Sequence, residues 1–132
     1  MVFSQADLFN AIEKEPLLTN SGIGIFSLRK LTSNERKRKF QEKRGALKNN
    51  LEQFQVCCEW LTLCRKRKTI NPEIGTSYGL KHQVEKYFNK YVTNGSFIAA
   101  IIHSGVLYKI DPDSINIEVA LSSKLPLLLG DA

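Results

Sequence analysis

The sequence predicts a mostly α protein, a compact helical bundle of about four or five helices, with a small two-stranded β addition formed by residues 23–28 and 115–121. Three observations carry this. Leu47, Leu51, Phe54, Cys58 and Leu61 recur at steps of four and three, one continuous helical stripe. Residues 97–102 are apolar throughout, which suits a helix buried on every side. Ile115, Ile117, Val119 and Leu121 alternate with polar or small residues in the two-residue period of a strand. A chain of 132 residues, 42% hydrophobic, is enough for one core and too short for two, so a single domain spans residues 1–132.

The elements follow in order. Ser4 is placed to cap a helix over residues 4–15, with Asp7 in its first turn, Leu8, Phe9 and Ile12 as its apolar stripe, and Pro16 as its stop. Residues 17–22 read as a loop and 23–28 as a short extended segment. Thr32 or Ser33 opens the next helix, where Glu35 suits the positive end of the helix dipole. Phe40 and Leu47 are its only clear anchors, so most of it must face water, and Gly45 is a point where it can be interrupted.

From Leu47 the stripe runs on, widened by Val56, Cys57, Trp60, Leu63 and Cys64, to a helix that closes in the cations of residues 65–68. A turn at 71–75 precedes a helix over about 77–91, with Leu80, Val84, Tyr87, Phe88 and Tyr91 facing inward. Asn94-Gly95 then breaks the chain, residues 96–103 form the central core helix, and Gly105 stops it. Residues 111–114 make a turn before the final strand. The Leu-rich end, residues 124–132, packs on the body or reaches a partner, and self-association is compatible with it.

Composition excludes several function classes. No stretch approaches the roughly 20 apolar residues that cross a bilayer. The N-terminus has neither the positive nor the apolar region of a secretory signal, so the cytoplasm is the expected location. Cys57, Cys58 and Cys64 lack paired metal-ligand spacing and lie far from His82 and His103, so they read as small buried hydrophobes, and no metal or other cofactor is implied.

Positive charge is concentrated. The chain carries +6 overall, but residues 29–68 hold thirteen of its nineteen Lys and Arg against four carboxylates, a local +9 that leaves −3 elsewhere. Such asymmetry points to a polyanion: nucleic acid, an acidic protein or an anionic membrane surface. The candidate phosphate contacts are Arg36, Lys37, Arg38, Lys39, Lys43, Arg44, Arg65, Arg67 and Lys68, with Tyr78, Lys81, Lys86 and Lys90 secondary. A solvated helix face is the competing structural reading of the same run. Single-strand binders interleave cations with exposed aromatic rings, and the basic helix offers only Phe40, so a duplex backbone is the better fit.

Catalytic motifs are weak. Gly75 to Lys81 suggests a phosphate loop, but only three residues separate Gly75 from Gly79, and Leu80 stands where the lysine belongs. His82 and Glu85 lie one helical turn apart and form an imaginable acid–base pair, although a surface histidine on a charged helix explains them as well. The helices at 77–91 and 96–103 have helix-turn-helix spacing, but the second is too apolar to enter a groove. The expectation is therefore a non-enzymatic nucleic-acid-binding or regulatory protein. The alternative is a protein-interaction module, an adaptor, inhibitor or effector whose basic face meets an acidic partner, and peripheral lipid binding ranks third.

Overall fold

The computed structural model describes residues 3–25 and 31–126. Five helices and two hairpins are built from them. In chain order they are α1 (Gln5–Lys14), β1 (Leu18–Thr19), β2 (Gly22–Ile23), α2 (Ser33–Leu47), α3 (Leu51–Thr62), a 3₁₀ turn (Pro72–Ile74), α4 (Ser77–Phe88), α5 (Asn94–His103), β3 (Tyr108–Ile110) and β4 (Ile117–Val119). The mostly helical bundle with a small β addition is therefore the observed architecture.

Helix α5 is the centre. Every residue from Asn94 to Ile102 is buried, because α1 and α3 pack along it and α4 crosses it. Phe97, Ile98 and Ile101 are fully enclosed, and burial of each contributes about 1.5–3 kcal/mol. Trp60 of α3 meets Phe97 edge to face, with ring centroids 6.1 Å apart. At the far end of α5, His103 stands edge-on to Phe3 and Phe54.

Local signals set the helix starts. Ser4 Oγ accepts from Asp7 N at 3.2 Å while Ser4 N donates to Asp7 Oδ2 at 2.9 Å, a reciprocal capping box. Thr32 caps α2 through Glu35 N at 3.1 Å. Thr93 caps α5 through Ser96 N at 3.1 Å.

Asn94-Gly95, expected as a break, instead opens α5, and the break falls earlier. Asn89 adopts the left-handed conformation, with φ of 54°, and ends α4 at Phe88 rather than at residue 91. Gly95 is required by contact rather than by a turn: a Cβ there would lie 2.0 Å from the Thr19 carbonyl oxygen. Its own N–H donates to Asn20 O at 3.1 Å, so α5 starts directly against β1.

Two further expectations are corrected. The stripe from Leu47 to Leu61 is not one helix, because residues 48–50 turn between α2 and α3. Asn50 leaves helical geometry there and its side chain donates to Asn20 Oδ1 at 2.6 Å. Nor does α3 close in the second basic cluster, since it ends at Thr62. Residues 65–67 are extended and pair with the strand after β4: Ser122 N donates to Arg65 O and Arg67 N to Ala120 O, both at 2.8 Å.

The β addition also differs in its pairing. Segment 115–121 contains β4, which pairs antiparallel with β3 across the turn at 111–114, not with residues 23–28. Residues 22–23 pair with 18–19 in their own tight hairpin. Gly22, with φ of 134°, permits this, and a Cβ on it would strike Ile115 O at 2.3 Å. A backbone bond, Ile23 N to Ile115 O at 2.8 Å, ties the first hairpin to the chain just before β4. Residues 26–28 of the expected first strand, and 127–132 of the Leu-rich end, lie outside the described residues. No helix of the described chain is long and apolar enough to cross a membrane.

Candidate polyanion-binding surface

Helix α2 is held at one end only. In its C-terminal half Leu47 is fully buried, Lys43 O accepts from Asn20 N at 3.0 Å, and Arg44 is enclosed by carbonyl oxygens. In its N-terminal half every residue from 32 to 39 is exposed, and Phe40 is the first to be partly covered. A helix turns 100° per residue, so exposure of eight consecutive positions means that these two turns are solvated on every face, although Arg36 and Lys37 border a cavity with Leu17, Gly24 and Ile25 of the body.

Arg36, Lys37, Arg38 and Lys39 are consecutive and therefore point to all sides of this free segment. Lys39 and Lys43 add a shared edge with Arg36, at spacings of three and four residues. None of these five cations has a carboxylate partner among the described residues. The result is a short helical peg that is basic all round.

Arg44 belongs to a different category. Its Nη2 donates to Ile12 O at 2.6 Å, and its Nη1 to Glu15 O, Pro16 O and Leu18 O at 3.0, 3.1 and 2.8 Å. The guanidinium is committed to the fold.

The second cluster stands apart. Arg65, Arg67 and Lys68 are exposed on the extended segment beside residue 121, and Lys66 Nζ donates to Ser104 O at the C-terminal end of α5. The C-terminal half of α2 meets the opposite end, where α5 begins against β1: Asn20 N donates to Lys43 O and Gly95 N to Asn20 O. Ten residues of α5, about 15 Å, separate the two ends. The fold thus brings Arg36, Lys37, Arg38, Lys39 and Lys43 together and leaves Arg65, Arg67 and Lys68 as a separate patch on a strand edge, where cations also deter edge pairing.

Of the secondary residues, Tyr78, Lys81 and Lys86 lie on α4 and Lys90 lies just beyond it. Lys81 is only 5% exposed, its Nζ lying 5.4 Å from the Tyr78 ring centroid, 5.0 Å from that of Tyr91 and 3.3 Å from Glu85 Oε2. Glu85 also bonds His82 Nδ1 at 2.6 Å and accepts from Val92 N at 3.2 Å. Burial pushes its pKa up, but these bonds outweigh burial and hold it below the ordinary glutamate value. Glu85 is thus a fastener between α4 and the start of α5, and Lys81 is enclosed rather than presented. Lys90 pairs with Glu52 at the surface.

Cys57 and Cys58 are buried and Cys64 half-buried, all as free thiols. Burial pushes Cys57 well up and Cys58 and Cys64 to about 12, which suppresses thiolate chemistry. Among the described residues no group of three His, Cys, Asp or Glu side chains is arranged to hold a metal ion.

One feature has no sequence signal. A pocket of about 390 Å³ opens where Asn50, Gln53 and Val56 of the α3 region meet Tyr91 and Val92 of the α4–α5 connection. Nearly forty residues separate the two walls, and neither carries a motif. No family model matches the chain, and no curated protein or solved structure matches it significantly.

Proposed function

We propose that the protein is a non-enzymatic binder of nucleic acid that engages duplex phosphates through the free half of α2. The supporting observation is the peg itself, eight consecutive exposed positions carrying four adjacent cations without carboxylate partners among the described residues. Packing does not require this arrangement: the two turns bury almost nothing, and a short helix is marginal in water on propensity alone. Cations pointing in every direction repel one another when free and are relieved when phosphates surround them. A groove does this, because phosphate rows flank an inserted helix on both sides.

The mode is backbone contact. The cation run carries no aromatic ring for stacking, and the exposed amides beside it, Asn34 and Gln41, are two against four adjacent cations, so phosphate contact dominates. Affinity should therefore depend steeply on salt and little on sequence. Arg65, Arg67 and Lys68 sit on a different segment, paired with residues 120–122, and are supplementary.

Fluorescence anisotropy with labelled duplex DNA, duplex RNA and single strands across a salt series tests this. The comparison is with a variant carrying Arg36→Ala, Lys37→Ala, Arg38→Ala and Lys39→Ala. The slope of log K against log salt should flatten by about 0.9 for each phosphate that the variant no longer neutralises. Absence of duplex binding at low salt, or binding unchanged in the variant, overturns the reading. A stable complex that survives nuclease and needs the same cations would instead identify an acidic protein partner.

A further inference from the structure

We propose that the pocket between α3 and the α4–α5 connection is a nucleobase site, one that stands whether or not α2 binds a duplex. Its volume, about 390 Å³, lies in the range that encloses a nucleotide-sized ligand. The chemistry of its lining selects the ligand class.

Gln53 supplies a donor whose orientation is fixed. Its Oε1 accepts from Thr93 N at 2.8 Å and from Ser96 Oγ at 3.1 Å, so the amide cannot flip without opposing two donors. Its Nε2 is the donor that this orientation leaves to the side chain, and Gln53 is one of the residues that line the pocket. Asn50 complements it: Nδ2 is spent on Asn20 Oδ1 at 2.6 Å, leaving Oδ1 able to accept. A neutral donor and a neutral acceptor suit the edge of a heterocyclic base, which presents both in one plane.

Tyr91 supplies the stacking surface. It is 69% exposed, yet its ring is steadied by Lys81 Nζ at 5.0 Å, itself anchored to Glu85 at 3.3 Å. The cation–ring contact favours one placement of the exposed tyrosine, which lowers the ordering cost of stacking. Val56 and Val92 provide apolar wall. Lys90, the cation among the lining residues, is already paired with Glu52, so a bare anion finds no free charge there. A flat, hydrogen-bonding heterocycle fits this lining, whereas inorganic phosphate does not.

The base can come from a free nucleotide or from an unpaired residue in a strand. Amide-detected NMR titration of the full chain distinguishes the two, with AMP, GMP, CMP and UMP in one arm, short single-stranded oligoribonucleotides in a second and inorganic phosphate in a third. The four-alanine α2 variant serves as the background, so a failure of the α2 reading cannot mask the result. Shifts centred on residues 49–56 and 90–93, including the Gln53 side-chain amide, are expected with at least one nucleotide or oligonucleotide and not with phosphate. Response to mononucleotides assigns the free source, and response to oligonucleotides alone assigns the strand.

Tyr91→Ala should weaken binding by about tenfold or more. Gln53→Glu, which keeps the acceptors that hold Thr93 and Ser96 but removes that donor, should also weaken it. No shift at these residues at millimolar ligand, equal shifts with phosphate, or unchanged affinity in both variants would overturn the assignment.

Discussion

Arg44 Nη2 donates to the Ile12 carbonyl at 2.6 Å, and this bond replaces one that α1 cannot make for itself. In a continuing helix Ile12 O would accept from the N–H four residues on, but that residue is Pro16, which has none. The other half of the guanidinium collects Glu15 O, Pro16 O and Leu18 O, so one side chain ties together most of the turn from α1 into β1, the Leu17 carbonyl being taken by Gly24 N. Arg44→Ala should lower unfolding free energy by about 2–4 kcal/mol, because charged hydrogen bonds disappear and partly buried carbonyls are orphaned. Arg44→Lys should restore only part, since an ammonium cannot fork to four oxygens. Urea unfolding measures both. The four-alanine variant of residues 36–39 should stay within about 1 kcal/mol of the parent, as its side chains are exposed. Comparable losses of stability for Arg44→Ala and that variant would contradict the division between fold and binding cations.

Two glycines inside helices should respond to alanine with opposite sign. Gly45 lies within α2 with nothing within 4 Å of an added Cβ, so Gly45→Ala should stabilise by about 0.5–1 kcal/mol through reduced unfolded-state entropy. Gly95 lies within α5 with Thr19 O only 2.0 Å from that Cβ. Gly95→Ala must push β1 off the central helix and should destabilise by about 3 kcal/mol. Thermal melts of the two variants beside the parent decide the matter: a Gly95→Ala protein as stable as the parent would refute the close approach of α5 to β1, and a destabilised Gly45→Ala protein would refute the open space beside Gly45.

The contrast between these glycines marks the boundary of what is legible in the sequence. Caps are local chemistry, so Ser4 with Asp7 and Thr32 with Glu35 are readable three residues apart. An all-apolar run such as 97–102 announces its burial without naming its neighbours. The break at residues 48–50 is not readable in the same way, because Leu47 and Leu51 keep helical spacing across it while Asn50 is drawn off by Asn20, thirty residues earlier. The basic segment is visible as charge, but charge does not separate Arg44 from Lys39. That distinction needs Pro16 beside Arg44, just as the burial of Lys81 needs Tyr91 to fold back over α4. The candidate pocket leaves no trace in the sequence, because an amide becomes a presented donor only once its other end is occupied.

Glu85 couples stability to pH. Burial raises its pKa, but the Val92 N–H, Lys81 and His82 lower it by more, and the net value lies below the ordinary 4.5. A carboxyl depressed in the folded state contributes its stability in full above its unfolded value and loses it as pH falls through its folded value. Protonation ends the attraction to Lys81, whose side chain is only 7% exposed and then lacks a counter-charge. Asp7 and Glu52 are also depressed, by the Ser4 backbone N–H and by Lys90, and so sharpen the same acid limb. They are present in parent and variant alike, so the difference between the parent and Glu85→Gln isolates Glu85. Glutamine keeps an acceptor for Val92 N but carries no charge. In urea titrations from neutral to acid pH, Glu85→Gln should be the less stable protein at neutrality, and the gap should close as pH falls below about 4.5. A gap that holds constant or widens toward acid would mean that the carboxylate is not what fastens α4 to the start of α5, and Lys81 would then need another source of compensation for its burial.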